Sequence, residues 1–347
     1  PVSNQNLQDR FKGMLDLVYY CENLSIHINE HEKALKWGED VLASNIVTHQ
    51  IVVETPWSVV YKIETPQSVV YLKQVPEALL LEPDIVTFLH QQGCKNIPEI
   101  IAVNLELHCF LTKSCGNLSL REFFKRKVDF PLLKTGIYSY TTIQRQLENK
   151  MQLTSALGIP DWRLDKFTSL YYQLIKQDKL LLDDGLVEEE IKRLHLLHPT
   201  CQQLCDVLSK HGIPETFSHS DFQENNMLLD EKTGSINIID WGETVIAHPF
   251  FSLNGCLWNL AYFNDLKSTD SMYRQIQSEC IAPWLNLYDE KTLLELLNIA
   301  SQLLGIYAAL EYERLYVATQ NNPTRTIQQE KRGSIAGCLR SFLNCQP

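Results

Sequence analysis

The sequence predicts an α+β chain of two lobes, a small antiparallel β-sheet lobe followed by a larger, mainly helical one. Three observations carry this. Between residues 46 and 75, β-branched and aromatic runs alternate with the period of half-buried strands. From 119 to 215, and again over 290–318, apolar residues recur at helical spacing. At 347 residues and 44% hydrophobic content, the chain is long enough for two lobes and apolar enough to fold. The expected layout is a helical extension over 1–44 that packs on the first lobe, a β-rich lobe over 45–117 and a helical lobe over 118–347.

Residues 6–20 and 31–43 have helical apolar spacing. "IVTHQIVVE", "WSVVYKIE" and "QSVVYLKQV" follow as three strands. The last two contain a ten-residue repeat, "ETPWSVVYKI" and "ETPQSVVYLK", best explained as a hairpin turning at Thr65-Pro66, because proline suits a turn and not a central strand. Lys73 shares a strand face with Val69 and Tyr71, where a lysine either snorkels to solvent or meets a partner. "PEALLLEPDIVTFLHQQ" is helical, kinked or restarted at Pro83. "IPEIIAVN" and "HCFLTKS" add two strands, Gly116 breaks the second, and Ser119 with Glu122 suggests a capping box for a new helix. The lobe boundary is expected near 113–118. The helical lobe carries one isolated hairpin, "MLLD" and "INIID" around "EKTGS", and is expected to be helical again after residue 241. A cleft between the lobes is the default ligand site.

The net charge of −11 argues against binding a nucleic-acid backbone, which needs lysine and arginine clusters, and suits an amine-bearing ligand. The ten cysteines contain no CxxC pair and read as reduced core thiols of a cytoplasmic protein. No apolar run approaches 18 residues, so no membrane association is expected.

The chemistry lies in "FSHSDFQENNMLLD" and "INIIDWGE". Transfer of a γ-phosphoryl group needs metal ions held against the phosphates, a cation on them, and a base or orienting group at the acceptor hydroxyl. Kinases supply these as H-x-D-x-x-x-x-N, then D-x-G after a short hairpin, with a strand lysine paired to a helix glutamate. His219, Asp221 and Asn226 have that spacing, "DWG" begins at Asp240, and Lys73 precedes a helix containing Glu82.

The pattern resembles the aminoglycoside phosphotransferase and choline kinase-like family, which has a protein-kinase-like fold. "HSDFQENN" is similar to its HGDxHxxN loop and "IIDWGETVIAHPFFSL" to its metal-binding segment. "SVVYKI", "YLK", "LEPDIVTFL" and "IPEII" match its first lobe more loosely. The resemblance implies an ATP- and Mg²⁺-dependent enzyme that phosphorylates a hydroxyl of a small molecule such as an amino-alcohol, sugar or aminoglycoside. It implies that Asp221 accepts or orients the hydroxyl proton and that Asn226 and Asp240 hold magnesium. Lys73, positioned by Glu82, would contact the phosphates, and His219 would support the loop. Ser58 would offer a group near the phosphates, and the segment Lys113–Cys115 would offer backbone groups to adenine. Glu77 is the substitute for Glu82.

Two departures motivate an alternative, a kinase-fold module that binds a metabolite or partner without catalysis. The 54–58 turn contains no glycine, and Ser252 stands where the family often has an aspartate bracing the catalytic loop. A protein kinase is disfavoured by the long insert over 120–215 and by the absence of Ala-Pro-Glu after "DWG". Bland readings apply elsewhere. His195 and His198 lack a third metal ligand. Asp183, Asp184 and Glu188–Glu190 suit a solvated helix face better than an amine site. Trp258, Tyr262, Phe263, Tyr307, Tyr312 and Tyr316 suit a core better than an amine cage.

Overall fold

The β-branched runs of the first lobe form a five-stranded antiparallel sheet in the computed structural model, which describes residues 31–43, 47–125, 127–321 and 330–346. The helix expected over 6–20 lies outside the described residues. Strands β1 (Thr48–Thr55), β2 (Ser58–Glu64), β3 (Val69–Gln74), β4 (Ile100–Asn104) and β5 (Cys109–Lys113) lie in the order β1-β2-β3-β5-β4. Thr65–Ser68 make the β2–β3 turn: the Thr65 N–H donates to the Ser68 carbonyl (2.9 Å), and the Ser68 N–H donates to Thr65 Oγ1 (3.0 Å). This register sets Lys73 opposite Val60 and Leu72 opposite Tyr61.

Alternation then sorts the faces. Tyr61, Ile63, Val70 and Leu72 are buried with Ala34 of helix α1 (31–42). Val60, Lys62, Tyr71 and Lys73 line a cavity on the other face. Burying a leucine such as Leu72 is worth about 1.5–3 kcal/mol. A one-residue slip would turn Leu72 to the cavity and Lys73 into the apolar layer, so the register is strongly specified. After β3 the chain makes a single 3₁₀ turn over Glu77–Leu79 and restarts as α2 (Glu82–Gln91), with Pro83 in the first turn, where its missing N–H costs nothing.

The second part is helical: α3 (Leu120–Phe124), α4 (Phe130–Leu147), α5 (Leu164–Ile175), α6 (Asp178–Asp183), α7 (Glu188–Leu196), α8 (His198–His211), α9 (Phe250–Asn264), α10 (Ser271–Ile281), α11 (Glu290–Thr319) and α12 (Ser334–Cys345). Ser119 caps α3 by accepting the Glu122 N–H (3.2 Å), the serine half of the expected box. Asp129 caps α4 and Asp289 caps α11 in the same way.

Three expectations need correction. The β-structure around the motifs is larger than one isolated hairpin. β8 (Met227–Asp230) and β9 (Ser235–Ile238) are joined by β6 (Leu118–Ser119), and β7 (Thr216–His219) pairs with β10 (Thr244–Ala247), a stretch expected to be helical. β10 has the sequence TVIA and is wholly buried, so period gave no distinction between strand and buried helix. Trp258, Tyr262 and Phe263 are 56%, 67% and 39% exposed, so they form a surface cluster and not core. Asp184 is buried rather than solvated: its carboxylate accepts the N–H groups of Gly333 and Ala336 at the start of α12 (both 2.8 Å). Apart from these, α11 alone among the described helices is long and apolar enough to cross a membrane, by length and composition only. It packs against α5, α8, α9, α10 and α12, and 56% of its most apolar window is buried.

Candidate active site

The site is assembled where the sheet meets the β7–β10 region. β7 delivers His219 into a loop holding Asp221; a 3₁₀ turn (Glu224–Asn226) carries Asn226; β8 and β9 return the chain to Asp240. Lys73, Asp221, Asn226 and Asp240 line one cavity of about 630 Å³, together with Ser58, Glu82, Lys113 and Cys115. Glu77 is exposed on its 3₁₀ turn and is not part of this lining.

Lys73 Nζ is 2.6 Å from Glu82 Oε2 and also donates to Asp240 Oδ1. Burial opposes its charge, but the Asp240 and Glu82 carboxylates outweigh that and hold the ammonium above its ordinary range. The second Glu82 oxygen accepts the Trp241 N–H (3.2 Å), so one glutamate on α2 ties the sheet lysine to the strand-end aspartate. Asp240 adopts left-handed backbone geometry (φ 65°), which aspartate tolerates better than most residues. Burial disfavours its ionised form, and Lys73 reverses this and lowers its pKa.

Asp221 is held from two sides. Gln223 Nε2 donates to Oδ1, and Asn226 Nδ2 donates to Oδ2 (2.8 Å) and to the Asp221 carbonyl (2.9 Å). Gln223 Oε1 in turn accepts from Arg121, whose Nε reaches the fully buried Glu224 (3.1 Å). Burial raises the Asp221 pKa above the usual carboxylate range. His219 is fully buried, and its Nε2–H donates to the Ile239 carbonyl (2.9 Å), next to Asp240; burial lowers its pKa and keeps it neutral. It therefore fastens the two loops together. Between the lobes, Gly116 allows close packing: a Cβ there would lie 2.8 Å from Leu228 Cβ and 2.9 Å from the Leu229 carbonyl. The Cys115 carbonyl accepts from Asn237 Nδ2 (2.5 Å), and Lys113 Nζ pairs with Glu99 (2.6 Å). Thr55 Oγ1 donates to the Ser58 carbonyl (3.2 Å), closing the glycine-free turn.

The donor set fits a divalent cation of the magnesium type. Because the Asn226 amide spends its N–H on Asp221, its oxygen is the atom left for a cation. No group of three or more His, Cys, Asp or Glu suited to a metal occurs among the described residues. Such a sparse set suits Mg²⁺, which is held by one or two protein oxygens plus substrate phosphates and water.

With this geometry in hand, comparison with known proteins is decisive. A family model described as the phosphotransferase enzyme family matches residues 56–284. The chain belongs to this family. Among solved structures, a Plasmodium vivax ethanolamine kinase aligns with a TM-score of 0.56 at 12% identity, over 90% of this chain and 86% of that one. The choline kinase LicA from Streptococcus pneumoniae aligns with a TM-score of 0.55 at 12% identity, over 90% and 99%. The amicoumacin kinase hAmiN, in complex with AMP-PNP, Ca²⁺ and Ami, aligns with a TM-score of 0.56 at 12% identity, over 91% and 94%. At these identities the likeness is one of fold, the kinase-like arrangement of β-sheet and helical lobes. A search of curated proteins returns no match.

Several residues at the site were missed by sequence reasoning. Gln223 and Glu243 lie inside the quoted motifs, and their positions beside Asp221 and Asp240 were a usable signal. Arg121, which holds Gln223, and Arg314, whose Nη2 donates to the Gly242 carbonyl (2.9 Å), come from distant helices and carried none. His195 and His198 lie at the surface or half-buried, among Tyr171 and Tyr172, away from this cavity.

Proposed function

We propose that this phosphotransferase moves the γ-phosphoryl group of ATP to a hydroxyl of a small, amine-bearing molecule. The observation that carries the reading is the shared cavity of Lys73, Asp221, Asn226 and Asp240. Asp221, with its two oxygens oriented by Gln223 and Asn226, takes the acceptor's hydroxyl proton as that oxygen bonds to the γ-phosphorus. The bond from phosphorus to the β–γ bridging oxygen breaks, and ADP leaves. The raised pKa of Asp221 makes it a stronger base than an exposed aspartate. Lys73 exchanges its contact with Asp240 for the phosphates, while Glu82 keeps it in place. Asn226 Oδ1 and the Asp240 carboxylate would hold Mg²⁺, which neutralises charge on the phosphate oxygens when bound. Backbone groups of Lys113–Cys115 other than the engaged Cys115 carbonyl meet adenine, and Ser58 lies over the phosphates.

Charge balance supports an amine on the acceptor. Among the lining residues, Glu82, Glu122, Asp221, Asp240 and Glu243 outnumber Lys62, Lys73 and Lys113, and Glu311 interacts with Glu243 and with Arg314 beside them. Glu311 is 7% exposed, and Arg314 Nη1 is 3.6 Å away. The Glu243 pKa is driven well up by burial and by Glu311, Asp221 and Asp240, a strain that an ammonium group would relieve. Trp57 lines the cavity, and Tyr312 and Tyr316 pack in the same apolar cluster, giving aromatic surface suited to a cation. Two of the structural relatives are named for amino-alcohols, ethanolamine and choline. The test is a phosphotransfer assay with Mg²⁺–ATP across ethanolamine, choline, kanamycin and glucose. Transfer to an amine-bearing acceptor that is lost in Asp221→Asn is expected. Equal activity in that variant removes Asp221 from the mechanism, and transfer to glucose alone removes the amine.

A further inference from the structure

A buried polar cluster outside the cavity controls the loop that carries Asp221. Tyr140 of α4 is fully buried, and its hydroxyl accepts the His219 N–H (2.9 Å) and donates to Ser252 Oγ (2.8 Å). The direction of each bond follows from the protons. Ser252 donates its own hydroxyl to the Pro249 carbonyl (3.1 Å), so it accepts from Tyr140; the Tyr140 oxygen is then free to accept from the main chain. Gln144, one turn on along α4, adds its Nε2 to Tyr140 (3.2 Å), Ser252 (3.3 Å) and the Phe217 carbonyl (3.2 Å). Burial keeps the phenol protonated by raising its pKa.

The ring performs a second task. It stacks on Phe222, with centroids 3.8 Å apart and planes 20° apart, and it also meets Trp241 at 6.1 Å. One side chain thus grips the loop on both sides of Asp221, by the N–H of residue 219 and by the ring of residue 222. Through Trp241 and the His219–Ile239 bond it also reaches the segment bearing Asp240.

We propose that Tyr140 is the positioning residue of the catalytic loop, fixing the direction of the Asp221 carboxylate through His219 and Phe222 without touching substrate. The proposal rests on the reading of Asp221 given above. Ser252 and Gln144 orient Tyr140, so the brace is assembled from neutral groups.

The experiment compares wild type, Asp221→Asn, Tyr140→Phe and Tyr140→Phe/Ser252→Asp. Calorimetric titration with Mg²⁺–ADP counts competent nucleotide sites. Phosphoryl transfer per competent site is then measured to water and to the four acceptors already named. Tyr140→Phe is expected to lower transfer per site about tenfold with ADP affinity changed less than twofold. A carboxylate at 252 extends further than a serine hydroxyl and supplies a new acceptor for the His219 N–H, so the double variant is expected to recover to within about threefold. A loss of nucleotide sites with full transfer at the remaining ones would show a purely structural tyrosine and overturn the proposal, as would no change at all. If Tyr140→Phe fails to fold, Phe222→Leu, which removes the stacked ring and keeps each of these hydrogen bonds, carries the test: unchanged transfer per site overturns the proposal. Full transfer in Asp221→Asn overturns the underlying reading instead, and an absence of turnover in wild type on water and all four acceptors overturns both.

Discussion

Two halves of the site are held in place by opposite means. On the sheet side, Lys73, Glu82 and Asp240 form a network of charges, with Lys73 14% and Glu82 6% exposed at their side chains. On the loop side, Tyr140, Ser252, Gln144 and the His219 main chain form a network of neutral hydrogen bonds under full burial. The contrast follows from what each half must do. In the proposed transfer the charged half changes partners, Lys73 leaving Asp240 for a phosphate. The loop half must stay fixed, and neutral groups pay less desolvation for being buried than ions do.

The largest effect is expected where the halves meet. Asp221→Asn keeps the volume and removes the base, and should lower transfer by about 10²–10⁴-fold, the usual range for a lost general base, with ADP affinity nearly unchanged by calorimetry. Next comes the charged half. Lys73→Met leaves Glu82 facing Asp240, whose side chain is 33% exposed, so stability should fall by about 1–3 kcal/mol, less than the cost of breaking a fully buried ion pair from one side. Urea unfolding measures it, and a loss below about 1 kcal/mol would mean that water already screens this network.

The neutral half has a pH signature. His248 is fully buried, its Nδ1 accepts the Phe250 N–H (3.3 Å), and burial lowers its pKa from 6.5 to about 3. Below pH 6.5 the unfolded chain takes up a proton that the folded chain refuses, so stability falls as pH drops, by about 1.4 kcal/mol per pH unit. His219 is shifted in the same direction by burial and adds to the slope. The raised carboxyls of Asp221, Glu243 and Glu311 shift stability the opposite way over this range, so the check is a difference: in thermal denaturation between pH 7 and 5, wild type should lose more on acidification, or gain less, than His248→Gln. The smallest effect concerns specificity. Glu311→Gln should raise KM for an amine-bearing acceptor about tenfold, equivalent to about 1.4 kcal/mol, while leaving KM for ATP in place.

The same contrast separates what was legible in the sequence from what was not. Asp221, Asn226 and Asp240 stand at fixed local spacings, and the strand period put Lys73 on one face with Tyr71, the face that lines the cavity in the structure. The brace obeys no local rule. Tyr140 and Gln144 occupy an ordinary amphipathic helix, where an aromatic and a glutamine one turn apart look like any buried stripe, and they gain meaning only when α4 packs beneath β7. Ser252 carried half the signal: the resemblance implied an acidic residue at that position, and the partner that Ser252 meets, Tyr140, is 112 residues away along the chain. β10 was missed for a related reason. A fully buried strand of four residues shows no alternation, and only its pairing with β7 defines it.

The most direct test of the whole account is a crystal structure with Mg²⁺ and a non-hydrolysable ATP analogue. The expected structure has a cation bound by Asn226 Oδ1 and the Asp240 carboxylate at about 2.0–2.1 Å, Lys73 moved from Asp240 to the phosphates, and the γ-phosphate facing Asp221. A nucleotide seated outside this cavity, or a cation coordinated by neither residue, would contradict it.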